Sequence, residues 1–186
     1  MKYLITPTLL NSFLFFQKDT REEAIEEFLN TLNKEFKTNE LIEKGNKYEQ
    51  DLISGVVKDE FTPYVENGLY QVVLKKDIKI NDIDFILYGK ADIIKENYIY
   101  DLKRTKQYQY LKYQSSMQHR IYMYCSGIHN FKYLINENDG IKYIEEYQYT
   151  KYTENEIITC IVDFMDTINF CEEFKTAFNK NFISKY

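Results

Sequence analysis

Two apolar runs separated by a short polar break lie between residues 89 and 103, and they constrain the fold more than any other stretch. The first run contains Asp92, residues 95–97 form the break, and the second run contains Asp101 and Lys103. Residues two apart on a β-strand project to the same face, so Asp101 and Lys103 are expected side by side. If the two runs pair in one sheet, Asp92 reaches the same patch. The stretch therefore predicts two carboxylates and one ammonium group at one place on a sheet.

Charged side chains in strands this apolar carry a desolvation cost, and two converging carboxylates need a cation close to them. Mg²⁺ meets that need, because it binds carboxylates and water and leaves positions open for a phosphate group. The alternative is a solvated hairpin on which Asp101 and Lys103 form a surface ion pair, since an isolated Asp-x-Lys is common by chance. Other residues along the chain must decide between these two interpretations.

The composition limits the classes of protein to consider. A chain of 186 residues with 44% hydrophobic and 28% charged residues is typical of a globular protein, and we expect one domain over residues 1–186. The net charge of −5 excludes a uniformly basic nucleic-acid coat protein, so any DNA contact must come from a local patch. The three cysteines lack Cys-x-x-Cys spacing, and neither a signal peptide nor a run of transmembrane length is present. We therefore expect a cytoplasmic protein with no membrane association.

The spacing of apolar residues predicts the order of helices and strands. Helices are expected over residues 4–17, 20–36, 39–57, 111–127 and 153–178, and strands over residues 70–76, 78–80, 83–88, 89–94, 98–103, 131–135 and 143–149. Local signals support these bounds: Thr6 before Pro7, the capping boxes Thr20-x-x-Glu23 and Thr153-x-x-Glu156, and turns at Asn81-Asp82 and Asn138-Asp139-Gly140. This order predicts an α/β fold with a mixed central β-sheet flanked by helices.

A third candidate carboxylate, Glu49, lies on the helix predicted over residues 39–57. It follows Tyr48 at the margin of an apolar stripe, and from this position alone an exposed side chain is favoured over an inward ligand. Gly45 in the same helix costs about 1 kcal/mol relative to Ala, which suggests that another group approaches the backbone closely there.

Basic and tyrosine residues alternate after Asp101. The five cations between Asp101 and Cys125 are interleaved with tyrosines and are Lys103, Arg104, Lys106, Lys112 and Arg120. Such a segment suits a nucleic-acid strand, through phosphate contacts and stacking, but it is also compatible with a solvated face in a tyrosine-rich chain. The two histidines, His119 and His129, have no spaced partner, and no glycine-rich phosphate loop is present. A zinc site and a nucleotide cofactor are therefore not expected.

Four short motifs follow one another in a consistent order: Gly45-x-x-x-Glu49, Gly89-x-x-Asp92, Asp101-x-Lys103 and Gln118-x-x-x-Tyr122. This series resembles the PD-(D/E)XK nuclease superfamily, in particular its RecB-type and phage-exonuclease-like branch, which has a restriction-endonuclease-like core. The opening TPTLLNSFLFF, residues 6–16, resembles the helix that starts many such domains. The chain departs from much of the branch in having Glu49 where a histidine is usual, and it lacks the cysteines of an iron–sulfur cluster.

The resemblance implies a role for each motif residue. Asp92, Asp101 and the Leu102 carbonyl would bind Mg²⁺ or Mn²⁺, with Glu49 as a further carboxylate. Lys103 would orient or deprotonate the attacking water, and DNA would be positioned by Gln118, Tyr122, Arg104, Lys106 and Arg120. The resulting hypothesis is a metal-dependent DNA nuclease, an exonuclease of phage or bacterial recombination, repair or defence, acting alone or with a recombination or helicase partner protein. The alternatives are an inactive protein of the same fold that binds DNA or a partner, and an interaction protein without a nucleic-acid role.

Overall fold

The computed structural model describes residues 2–19, 21–36, 38–138 and 140–184. The elements in chain order are β1 (Lys2–Ile5), α1 (Pro7–Lys18), α2 (Glu22–Leu32), α3 (Glu40–Ile53), α4 (Thr62–Val65), β2 (Leu69–Ile80), β3 (Ile83–Lys95), β4 (Tyr98–Thr105), α5 (Met117–Ser126), β5 (Asn130–Glu137), β6 (Lys142–Gln148), α6 (Thr153–Phe170), α7 (Glu172–Phe182) and β7 (Ile183–Ser184). None of the helices within these residues is long and apolar enough to cross a membrane.

The strands form one mixed sheet of seven strands in the order β6-β5-β4-β3-β1-β7, with β2 paired to β3 outside this path. The pairs β1–β3 and β4–β5 are parallel, and the other pairs are antiparallel. Alternate residues of β4 enter different cores: Ile99 joins the large core with α1, α2, α5, α6 and α7, whereas Tyr100 and Leu102 join a smaller core with α3. Helices thus cover both faces of the sheet, and the predicted α/β fold with a mixed central sheet is confirmed.

The first residues form a strand rather than the start of a helix. Lys2–Ile5 pairs in parallel with β3, and Ile5 is fully buried. The predicted helix start at residue 4 is therefore wrong, because β3 offers an edge that local spacing cannot reveal. The predicted cap is confirmed: the Thr6 hydroxyl accepts a hydrogen bond from Leu9 N at 3.2 Å, and Pro7 begins α1.

The long β2–β3 hairpin turns at the predicted place. Asn81 and Asp82 have φ values of 47° and 63°, and they connect the paired residues Ile80 and Ile83. Two consecutive left-handed residues form the turn whose twist matches that of the flanking strands. The predicted segments on either side are continuous in the structure, so residues 69–80 and 83–95 form two long strands.

Several predicted helices have different bounds, since α2 ends at Leu32 rather than residue 36 and α3 ends at Ile53 rather than residue 57. The helix expected over residues 111–127 begins only at Met117, because Leu111 has a φ of 58° and the residues after it form turns. The helix expected over residues 153–178 breaks at Cys171, whose extended backbone separates α6 from α7.

Two of the predicted local signals differ from the structure or lie outside it. Thr153 is the first helical residue of α6 rather than its cap, and its hydroxyl accepts a hydrogen bond from Thr150 N at 3.0 Å. The second predicted capping box is therefore wrong. Thr20 of the first predicted box and Asp139 of the second predicted turn lie outside the described residues.

Candidate active site

The sheet is interrupted on both sides of Asp92. Pairing of β3 with β4 extends from the turn to Ile93 and Tyr100 and stops there, and Asp92 Oδ2 then accepts a hydrogen bond from Leu102 N at 3.1 Å. On the other side, Gln71 of β2 lies opposite Asp92 with a left-handed φ of 53°. A carboxylate thus takes the place of a backbone acceptor where the strands separate.

Asp101 and Lys103 lie together on one face of β4. Asp101 is only 1% exposed, and Lys103 Nζ lies 2.7 Å from its Oδ2. The other carboxylate oxygen, Oδ1, accepts a hydrogen bond from Gln118 Nε2 at 2.6 Å. No donor among the described residues reaches Oδ2 in hydrogen-bonding geometry. Lys103 therefore balances the charge of Asp101, and Oδ2 can still accept a hydrogen bond or bind a cation.

Tyr122 links the helix α5 to the strand that carries Asp92. Its hydroxyl donates to Lys90 O at 2.9 Å, and Gln118 Nε2 lies 3.4 Å from the same hydroxyl. The ring lies so close to Gly89 that a Cβ atom at residue 89 would overlap it. Two motifs that are distant in sequence, Gly89-x-x-Asp92 and Gln118-x-x-x-Tyr122, therefore form one packed unit.

Glu49 faces the sheet. The side chain is half-buried, and its Oε1 accepts a hydrogen bond from Gln71 Nε2 at 2.5 Å. The exposed side chain favoured from position alone is therefore wrong. A Cβ atom at Gly45 would lie 3.6 Å from Arg104 Cβ, which is an ordinary contact. Within the described residues, no protein atom makes the close approach to Gly45 that was expected.

The ionisable groups of this site influence one another. Burial, followed by the charges on Asp101 and Glu49, raises the pKa of Asp92 to about 9. Burial, followed by the charge on Asp101, also raises the pKa of Glu49. Burial alone would lower the pKa of Lys103, but the charges on Asp101 and Asp92 raise it above its ordinary value. Lys103 acts on all three carboxyl groups and Lys90 acts on Glu49, so the site has an excess of negative charge when all three carboxyl groups are ionised.

The chemistry of these donors fits a divalent cation. Carboxylate and carbonyl oxygens are the ligands that Mg²⁺ and Mn²⁺ prefer, and Asp101 Oδ2 retains acceptor capacity. Within the described residues, no three carboxylate, imidazole or thiolate groups converge closely enough to hold a metal ion in this conformation. Each carboxylate is directed at a protein donor instead: Asp92 at Leu102 N, Asp101 at Gln118 and Lys103, and Glu49 at Gln71.

The three other predicted DNA contacts lie away from this cluster. Arg120 pairs with Glu156 at 2.7 Å, and donates to the carbonyls of Ser116 and Gln114, so it connects α5 to α6 and to the preceding turn. Arg104 alternates with Lys103 along β4 and points to the opposite face, where a Cβ atom at Gly45 of α3 would lie 3.6 Å from Arg104 Cβ. Lys106 is exposed beyond the end of β4. The structure therefore does not bring these cations to Asp101.

An open cleft of about 820 Å³ borders the site at Lys103, and its described lining residues do not include Asp92, Asp101 or Glu49. Lys103, Gln118 and Tyr122 line it together with residues of α1, α2 and the segment between α2 and α3. Sequence reasoning did not identify Gln71, or the cleft residues Phe15 and Phe36. The contact of Gln71 with Glu49 spans 22 positions, and no local pattern signals it.

Comparison with known proteins shows likeness in fold. No family model matches the chain, and no curated protein matches its sequence. The solved structure of SSO0001 is 15% identical, with a TM-score of 0.60 over 91% of this chain and 78% of that one. An alkaline exonuclease, LHK-Exo from Laribacter hongkongensis, is 10% identical, with a TM-score of 0.53 over 89% and 90%. A candidate exonuclease from Eubacterium rectale is 11% identical, with a TM-score of 0.57 over 96% and 82%.

LHK-Exo was also solved in complex with dAMP, and that structure is 11% identical to this chain with a TM-score of 0.54. Identities this low establish a shared architecture and leave the chemistry to be argued from the site. The chain is thus similar in fold to solved exonuclease structures.

Proposed function

We propose that residues 1–186 form one domain that hydrolyses phosphodiester bonds in DNA with the help of Mg²⁺ or Mn²⁺. The observation that carries the proposal is that Asp92 and Asp101 lie beside Lys103, whose side chain lines an open cleft. The likeness in fold to an alkaline exonuclease, which was also solved with dAMP, supports a nuclease. We infer exonuclease action in recombination, repair or defence, in the cytoplasm of a bacterium or phage-infected host, alone or with a recombination or helicase partner protein.

Asp92, Asp101, the Leu102 carbonyl and Glu49 are the groups that would hold the cation. A bound divalent cation polarises a phosphoryl oxygen and lowers the pKa of its bound water. The pKa values of Asp92 and Glu49 are raised, so protons compete for these carboxylates at low pH. Metal binding should therefore strengthen as the pH rises.

Lys103 is cationic in this structure, because its pKa lies above the ordinary value. A charged ammonium group on the cleft floor orients a water molecule and offsets the negative charge that develops at phosphorus. Action as a base would require a second positive charge nearby to lower that pKa. The structure therefore supports charge stabilisation, more than action as a base, as the role of Lys103.

Gln118 and Tyr122 line the cleft together with Lys103. The Gln118 amide fixes Asp101 Oδ1 and leaves Oδ2 on the side of Lys103. The Tyr122 hydroxyl is bound to Lys90 O, so the ring is held in place as a wall of the cleft. We propose that both residues position Asp101 and the DNA strand, and that neither exchanges protons with substrate.

The test compares linear and circular plasmid DNA with Mg²⁺, with Mn²⁺ and with EDTA. Asp101→Asn and Lys103→Ala should each reduce cleavage by about 10²- to 10⁴-fold, as expected for removal of a group acting on the transition state. Asp166→Asn, at an exposed position on α6, is the matched control and should cleave normally. Cleavage that survives in Asp101→Asn would refute the mechanism, and equal cleavage of circular DNA would refute exonuclease action.

An inactive protein of the same fold that binds DNA or a partner protein is the second candidate. It is favoured by the observation that each carboxylate is already engaged by a protein donor in this conformation. Such a protein should bind DNA equally well with and without EDTA and should leave it intact with either cation.

A further inference from the structure

Two large aromatic side chains are exposed on the walls of the cleft. Phe15 on α1 is 50% exposed, and Phe36, which follows α2, is 62% exposed. Both line the cleft whose floor contains Lys103. Phe13 on α1 and Phe28 on α2 are fully buried, so these helices also contribute aromatic rings to the core. Exposed rings beside a candidate active site indicate contact with a ligand that has flat apolar faces.

The charge of the cleft excludes a ligand that binds mainly through phosphates. Among the described residues that line it, Lys103 is the single cation, against Glu27 and Glu35. A protein that holds a DNA duplex neutralises several phosphates, with about 6 to 10 contacts in well-studied cases. Hydroxyl and amide groups such as those of Ser12 and Asn30 make up the polar lining instead. A ligand here must gain its affinity from stacking and hydrogen bonds.

We propose that the cleft binds an unpaired nucleic-acid strand, with bases stacked on Phe15 and Phe36 and a phosphate directed to Lys103. This inference rests on the proposed nuclease function and specifies its substrate as single-stranded DNA or a frayed strand end. Unpaired bases offer both faces to aromatic rings, whereas bases in a duplex are stacked on one another. Lys103 lines the same cleft as Phe15 and Phe36. The backbone of a strand that stacks on the two rings can therefore reach the Lys103 ammonium group.

The experiment measures binding by fluorescence anisotropy in EDTA, using the full chain and three labelled probes. The probes are a single-stranded 12-nucleotide DNA, its blunt duplex, and the same strand with abasic sites. Phe15→Ala and Phe36→Ala should each weaken binding of the single strand by about 5- to 150-fold, the range measured for loss of one base–aromatic stack. Phe36→Tyr should retain affinity, because a tyrosine ring also stacks.

Phe170→Ala is the matched control, since Phe170 is 94% exposed at the end of α6 and lies outside the cleft. Its affinity should equal that of the unaltered chain. The slope of log affinity against log salt should lie near −0.7 to −1.4, about one or two phosphates on a single strand. The abasic strand should bind the unaltered chain more weakly than the intact strand binds Phe36→Ala, because abasic sites remove the stacks on both rings.

Equal affinity for duplex and single strand, or unchanged binding by both Phe→Ala variants, would overturn the stacking proposal. Either result leaves the cleavage test with Asp101→Asn and Lys103→Ala unaffected. Conversely, absence of cleavage with normal stacking behaviour would refute the nuclease and retain a single-strand binding protein. The two proposals can therefore fail separately.

Discussion

Gln71 combines backbone strain with a hydrogen bond to a candidate metal ligand. Its φ of 53° is left-handed, although it lies within β2 and its neighbours Tyr70 and Val72 pair normally with β3. A left-handed conformation costs a residue with a side chain about 1–2 kcal/mol. The amide donates to Glu49 Oε1 at 2.5 Å, and a hydrogen bond to a charged group contributes about 1.5–3 kcal/mol. The hydrogen bond thus offsets the backbone strain, and substitutions of Gln71 can measure the two contributions to stability separately.

Gln71→Ala and Gln71→Gly both remove the amide, but only glycine relieves the backbone. At an ordinary strand position glycine is less stable than alanine by about 0.5–1 kcal/mol. At Gln71 the relief of about 1–2 kcal/mol reverses that order, so the glycine variant should be more stable by about 1 kcal/mol. For a chain of this length the difference corresponds to a Tm about 2–4 °C higher.

Thermal and urea denaturation measure the free energy of unfolding of both variants. Val73→Ala and Val73→Gly provide the matched control, since Val73 is 56% exposed two residues further along β2 in the regular ladder. Glycine should be the less stable of that pair. Calorimetric titration with Mn²⁺ adds a second readout, in which both Gln71 variants should lose about 10- to 100-fold in affinity. If alanine is the more stable substitution at both positions, the strain assigned to Gln71 does not exist.

Three further changes test other contacts. Gly89→Ala should lower the free energy of unfolding by about 1–3 kcal/mol in urea, because the new methyl group overlaps the Tyr122 ring, and it should add nothing in a Tyr122→Ala background. Burial lowers the pKa of His119 to about 3, against about 6.5 in the unfolded chain. The contribution of the neutral His119 ring to stability is therefore complete above pH 6.5 and is lost as the pH falls toward 3. Between pH 6.5 and 5 the unaltered chain should therefore lose about 2 kcal/mol more stability than His119→Phe, as measured by urea denaturation at each pH. Arg120→Ala should lower the free energy of unfolding by about 1–3 kcal/mol and leave DNA affinity in an anisotropy assay unchanged, and a loss of affinity would restore Arg120 as a DNA contact.

Features set by near neighbours in the sequence were predictable. The Asn81-Asp82 turn and the Thr6 cap depend on a few adjacent residues, and both are confirmed. The period of a strand alone places Asp101 beside Lys103. The α/β class followed from the order of patterns along the chain.

Features set by distant partners were not predictable. Lys2–Ile5 is a strand because β3 accepts it some 80 residues later, and Cys171 interrupts a continuous helical pattern without a proline or glycine. The basic residues after Asp101 form one group in the sequence, yet Arg104 and Arg120 project away from Lys103. The order of charged residues along the sequence does not show on which side of a strand or helix each side chain lies.

The interruption of the sheet and the excess of negative charge have a common physical basis. Asp92 replaces a backbone acceptor for Leu102 N, which holds its carboxylate near Asp101 although the two charges repel. Burial, followed by repulsion from Asp101, raises the pKa of Asp92 to about 9, far above its value in the unfolded chain, and this difference reduces stability at neutral pH. Stability at this place should rise as the pH falls below 9, opposite in sign to the effect of His119. A binding site for a cation is expected to show this cost, because the same repulsion is relieved when a positive charge binds.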